Sequence, residues 1–262
     1  MTIDEQIKRE SCVHGKQWNS LHNGYFSDAL IARPFIETII RYLSDSAPEV
    51  IVDLGGGTGF ILRELIAKGV TANIFPVNLD CSETQLDAMG KRGIPCINCM
   101  ISDFSRNDLV FNEEQRVFFI MRSVLHYFGQ KDLIDILQHI RNQAQKGEMF
   151  IHQSACFENE VEARCLNALY QEMGSPKWYP VIKETRDKMM AANWQVIEEC
   201  PAPPLQLLSA ELGQRYGVTS QVLSEICDRI INEFGEIENI FQCTSDGFVA
   251  CLNYRIFVAR AV

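Results

Sequence analysis

From Val50 onward the chain alternates nearly continuous apolar runs with segments whose apolar residues recur every three or four positions. Runs of the first kind suit strands covered by helices on both faces, and segments of the second kind suit the covering helices. VIVDL reads as a strand, FILRELIAKG as a helix, ANIFPVNLD as a strand, SETQLDAMGKRG as a helix and PCINCMI as a buried strand. RVFFIMRSV, the helix QKDLIDILQHIRNQAQKG and the strand EMFIHQS continue the series. A helix around Lys183 to Ala192, the strand NWQVIEEC and a final strand or hairpin in FVACLNYRIFVARAV bring the total to about seven strands. Alternation of this kind predicts an α/β fold with a mostly parallel sheet.

Three segments fall outside that series: the N-terminus to about Ser46, Cys156 to Pro180, and Pro201 to Gly247. EVEARCLNALYQEM and SQVLSEICDRIINEF are helical patterns within the last two, and Pro201, Pro203 and Pro204 predict a break between strand and helix. With no repeat, low-complexity tract or Gly/Ser linker, residues 1–262 read as a single domain. Its parts are 1–46, a core of 47–155, helices and insertion in 156–247, and a last strand in 248–262.

Composition narrows the class. Twenty-four Lys and Arg against 34 Asp and Glu leave a net charge of −10, and no basic run is longer than a pair, so nucleic acid is not expected as a partner. No apolar stretch is long enough for a membrane span, and MTIDEQIKRE has no signal-peptide profile, which predicts a cytoplasmic protein. The ten cysteines are then expected as thiols rather than disulfides. Cys96 and Cys99 form a CxxC, but in a strand such a pair points to opposite faces, so no metal site is expected.

The chemistry concentrates in IVDLGGGTGF. Glycines at 55, 57 and 59 after an apolar strand allow a tight turn whose backbone amides face a ligand at a helix N-terminus. There is no Gly-Lys-Ser/Thr, so a Walker loop is excluded, and neither glycine frame completes GxGxxG. The spacing Asp53-x-Gly55-x-Gly57-x-Gly59 resembles motif I of the class I S-adenosylmethionine-dependent methyltransferases, and further landmarks follow in order. NLDCS places Asp80 where that family keeps an acid for the ribose hydroxyls; a helix cap is the competing reading. ISDF places Asp103 and Phe104 at the adenine position. MRSVLHYF is similar to the motif IV region, with Arg122, Ser123 and His126 beside the methionine part and the acceptor.

The resemblance spans about Glu49 to Ser154. It implies a Rossmann-like seven-stranded sheet with helices on both faces, a helical N-terminal lid, a helical insertion before the last strand, and S-adenosyl-L-methionine as cofactor. It also implies transfer of a methyl group to a small-molecule acceptor by in-line displacement, in a monomer or homodimer. Tyr25 and Arg33 are candidates for the methionine end, with Trp18, His22 and Phe26 in the same lid segment. His126 is the candidate base, with His152 or Tyr127 behind it, and Lys177, Trp178 and Tyr179 are candidate acceptor contacts by position. Pro76 inside an interior strand departs from the pattern and predicts a bulge at Phe75-Pro76. The alternatives are a non-catalytic cofactor-binding subunit or sensor, and an NAD(P)-dependent dehydrogenase.

Overall fold

A computed structural model describes residues 21–89, 93–110 and 112–262; Trp18 and the side chain of His22 lie outside the described part. The parallel strands are β1 (Val50–Leu54), β2 (Phe75–Asp80), β3 (Cys96–Asn98), β4 (Val117–Arg122) and β5 (Met149–Ala155). They are joined by helices α1 (Ala29–Ser46, before β1), α2 (Phe60–Ala67), α3 (Glu83–Met89) and α4 (Gly129–Gln143). Then come α5 (Glu160–Glu172), α6 (Ile182–Ala191), β6 (Trp194–Leu208), α7 (Ser209–Tyr216), α8 (Ser220–Phe234), β7 (Phe241–Thr244) and β8 (Gly247–Ala261). The sheet runs β3-β2-β1-β4-β5-β8-β6, with β7 paired to the start of β8, which itself runs antiparallel to β5 and β6.

The apolar runs divide by strand parity. Val50, Val52, Leu54, Phe119 and Met121 face α4 and α6, whereas Ile51, Phe118 and Ile120 face α1 and α2. A second core lies beyond the carboxyl ends of the parallel strands, where α5, α7, α8 and the upper halves of β6 and β8 enclose residues such as Leu166, Leu212 and Ile226. Because β6 and β8 pass through both cores, the insertion is a continuation of the sheet.

Several expectations are corrected. Pro201, Pro203 and Pro204 do not end the strand: they lie within β6, and Pro203 and Pro204 fall where its pairing to β8 shifts, between Ala202 and Leu205. β6 is the edge strand, so missing N–H groups on its open side cost no ladder bonds. The bulge at Phe75-Pro76 is absent, since β2 keeps unbroken register with β1 from Phe75 to Leu79. The amides of Phe75 and Asn78 donate to opposite neighbours, Glu49 and Pro95, so position 76 points to the β3 side before β3 begins. PCINCMI holds only three strand residues, and Cys96 is exposed at the other sheet edge. Cys227 and Cys243 form a disulfide between α8 and β7, correcting the all-thiol expectation.

The N-terminal lid is also smaller than residues 1–46. Ala32, Phe35, Ile36, Ile39 and Leu43 bury one stripe of α1 against the sheet face, making it a layer helix. Of the described residues before β1, those of the 3₁₀ turn Leu21–Ser27 meet Arg122 at the end of β4. No described helix is long and apolar enough to cross a membrane.

Candidate functional site

β1 ends at Leu54 and the chain turns through Gly55, Gly57 and Gly59, all in the left-handed region at φ +72°, +55° and +68°. Side chains at those positions would be strained, which accounts for the alternate spacing. Gly56 is required for a different reason: a Cβ there would stand 2.1 Å from Asn78 Oδ1 and 2.6 Å from Asp53 Cγ. The loop therefore lies flat on the two polar side chains beneath it.

Asp80 ties that loop to β2. Its Oδ2 accepts the Gly57 N–H at 2.8 Å and its Oδ1 accepts the Ser82 N–H at 2.8 Å. The cap reading and the ligand reading are thus compatible, because an ionised carboxylate offers about four acceptor positions and two of them are taken. Burial raises the pKa of Asp80 above the ordinary value, opposed by these two backbone bonds. Asn78 donates to the Gly57 carbonyl at 2.9 Å, leaving its Oδ1 buried without a hydrogen-bond partner.

Asp53 is fully buried below the loop, and its Oδ1 also lacks a partner. Burial, reinforced by Asp80 and opposed by Arg122, pushes its carboxyl up to about 7. Arg122, at the end of β4, donates to the carbonyls of Phe26 at 3.2 Å and Tyr25 at 3.4 Å, and its guanidinium lies 5.5 Å from each of their ring centres. Tyr25 donates to the Pro203 carbonyl at 2.5 Å, so the 3₁₀ turn is moored to both β4 and β6.

These residues bring together a cavity of about 40 Å³ lined by Asp53, Gly55, Gly57, Gln85, Arg122 and Phe26. A second, of about 20 Å³, adjoins it, lined among others by Phe26, Ser123, His126, Lys177, Tyr179 and Tyr254. Phe26 faces both. Ser123 is held at φ +62°, its N–H donating to Gln153 at 2.7 Å and its hydroxyl 2.7 Å from that of Tyr254. A non-glycine residue in that region stores strain that the surroundings must hold.

Other expected residues are not brought there. Arg33 is exposed on α1 and lines neither cavity. Asp103 is exposed and accepts from Ser102, while Phe104 is buried in the core edge-on to His139. His152 is fully buried between Ser154 and Met189, with burial pushing its pKa down to about 3, so it is removed from the list of bases. Trp178 instead lines a wide cleft of about 700 Å³ between α5 and α6, which Tyr179 shares.

Sequence reasoning missed Asn78, Gln85, Ser123 as a strained residue, Arg215 and Tyr254. Only Asn78 carried a signal, as a lone amide within an apolar strand.

No protein-family model matches the sequence, and neither does any curated protein sequence. Solved structures do share the fold. A proposed methyltransferase of Bacillus halodurans C-125 is similar at TM-score 0.66 and 13% identity, covering 86% of this chain and 97% of that one. Magnesium protoporphyrin IX methyltransferase of Synechocystis PCC 6803, with bound S-adenosylmethionine, is similar at TM-score 0.52 and 9% identity, covering 97% and 90%. The cyclase SpnF is similar at 0.54 and 9%, covering 88% and 80%. The Rossmann-like methyltransferase fold is therefore shown, and a cyclase among its holders means that the reaction has to be argued from the site.

Proposed function

We propose that this protein is an S-adenosylmethionine-dependent methyltransferase acting on a small molecule. The observation that carries the reading is Phe26, which lines both the glycine-loop cavity and the cavity around His126. Group transfer needs donor and acceptor in adjoining sites, and a thin partition supplies that.

The residues present fit the cofactor. Two acceptor positions on Asp80 match two ribose hydroxyls, and the glycine loop leaves backbone close to a ligand without side-chain obstruction. The unpartnered Asp53 Oδ1 suits an ammonium group. When bound, the cofactor supplies a methyl group already activated by a sulfonium. The chain's task is then alignment, a contribution that reaches about 7–11 kcal/mol in well-oriented reactions.

At about 40 Å³ the glycine-loop cavity holds a few waters rather than a nucleoside. Entry requires the 3₁₀ turn to lift, breaking the Arg122 bonds to Phe26 and Tyr25, which at 3.2 and 3.4 Å are longer than the usual 2.9–3.0 Å, together with the Tyr25 bond to the Pro203 carbonyl. Its return over the ligand would exclude water from the partition. His126, buried at the acceptor cavity, is the base for a hydroxyl acceptor.

Methyl-labelled cofactor incubated with the protein and fractionated small-molecule extract tests the proposal. Label is expected in a low-molecular-mass fraction, with His126→Ala reducing the rate by at least about a hundredfold. Cofactor binding without label in any fraction would instead favour a non-catalytic binding protein.

A further inference from the structure

α3 buries two side chains, Gln85 and Met89, against the glycine loop. Met89 fills the side of Asn78: its sulfur lies 3.7 Å from Asn78 Nδ2 and would stand 2.3 Å from a Cβ at Gly59. Gln85, one turn earlier, lines the glycine-loop cavity together with Asp53, Gly57 and Arg122. A Cβ at Gly57 would stand 2.2 Å from Gln85 Oε1 and 3.9 Å from Asp80 Oδ2, so the carboxamide and the carboxylate share one side of the loop. Asp80 also sets the start of α3. Its Oδ1 accepts the Ser82 N–H, and the Ser82 carbonyl accepts the N–H of Gln85 at 3.0 Å.

Gln85 is only 8% exposed, yet its carboxamide makes no hydrogen bond among the described residues. An amide withdrawn from bulk water and left unbonded is costly, and Met or Leu would fill the same space without that cost. The polar side chain therefore calls for a partner in the cavity. Its chemistry complements that of Asp80. An ionised carboxylate only accepts, whereas an amide also donates. A sugar hydroxyl has one proton to give and lone pairs to receive, so Asp80 alone satisfies half of it.

We infer that Gln85 is a further cofactor-binding residue, its Nε2 donating to a ribose hydroxyl oxygen whose proton Asp80 accepts. The inference rests on the methyl-transfer reading and deepens it. Gln85 belongs to α3 and not to the 3₁₀ turn, so it stays beside Asp80 when that turn lifts to admit the sugar.

Calorimetric titration of the whole protein with S-adenosylhomocysteine and its 2′-deoxy and 3′-deoxy analogues tests this on wild type, Gln85→Met and Gln85→Leu. Both variants keep an unbranched or compact apolar side chain in place of the amide. Each is expected to bind S-adenosylhomocysteine roughly tenfold more weakly than wild type. The analogue lacking the hydroxyl that Gln85 meets should bind wild type and variants alike, because the contact is already gone. Thermal melts identify folded variants, and if Gln85→Met fails to fold, Gln85→Leu decides. Unchanged S-adenosylhomocysteine affinity in the folded variants, or an equal loss for all three ligands, overturns the inference and leaves the cofactor assignment standing. No binding of S-adenosylhomocysteine by the wild type sinks the methyl-transfer reading, and the inference with it.

Discussion

Asp80 accepts the backbone N–H of Gly57 at 2.8 Å, so the carboxylate ending β2 holds the shape of the loop that follows β1. One residue thereby sets the cradle, and on the proposed reading its remaining acceptor positions take the ribose hydroxyls. Asp80→Asn keeps the volume but loses the charge and one acceptor. Hydrogen bonds to a charged group contribute about 1.5–3 kcal/mol each. Calorimetry is expected to show S-adenosylhomocysteine affinity reduced roughly ten- to a hundredfold; unchanged affinity would remove Asp80 from the site.

On the proposed reading, Asp53 links cofactor binding to pH. Its carboxyl titrates near 7 because of burial, then Asp80, against the opposing Arg122. Since folding raises this pKa from 3.8, the stabilisation it brings is complete below that value and disappears as pH climbs through about 7. An ammonium placed against Asp53 reverses the shift and expels the proton. Binding near pH 7 is expected to release protons, seen as heats that differ between buffers of different ionisation enthalpy. Asp53→Asn should abolish the difference.

Gly56→Ala brings a methyl group against Asn78 and Asp53 at distances no real contact adopts. Lifting the loop off those side chains should cost about 1–3 kcal/mol in thermal or urea melts, with loss of cofactor binding. A variant with wild-type stability and affinity would show that the loop does not rest on them.

Stability away from the site depends on Glu148, buried just before β5. It receives both terminal nitrogens of Arg106 at 2.8 Å and the amides of Val117 and Gln145 at 2.8 Å. Glu148→Ala leaves the partly buried Arg106 guanidinium without its carboxylate and two amides without their acceptor, and denaturant melts are expected to show a loss of about 3 kcal/mol. Cofactor affinity of the remaining folded protein should not change.

The parallel half of the sheet was readable because each strand is an apolar run with an inside and an outside at every position, as with Ile51 against Val50 and Val52. The glycine loop was readable because backbone geometry leaves few residues able to occupy it. Arg33 illustrates a signal passed over: the stripe Ala32, Ile36, Ile39, Leu43 already turns position 33 away from the sheet. The three prolines of β6 were misread because tolerance for proline depends on lying at a sheet edge, which is decided by distant pairing. Phe104 and Asp103 occupy a turn whose direction no local pattern encodes. The tyrosine-lined cavity was illegible for a similar reason, since it draws on Tyr127, Tyr170, Tyr179 and Tyr254 from four separate segments of the chain.

The central claim is that the loop from Gly55 to Gly59, with Asp80, holds an adenosyl sulfonium cofactor. Calorimetric titration of the wild-type protein with S-adenosylmethionine, S-adenosylhomocysteine and NAD tests it most directly. Saturable binding of the first two at one site per chain, with no heat from NAD, is the predicted result. Saturable binding of NAD, with no heat from either adenosyl compound, would contradict it.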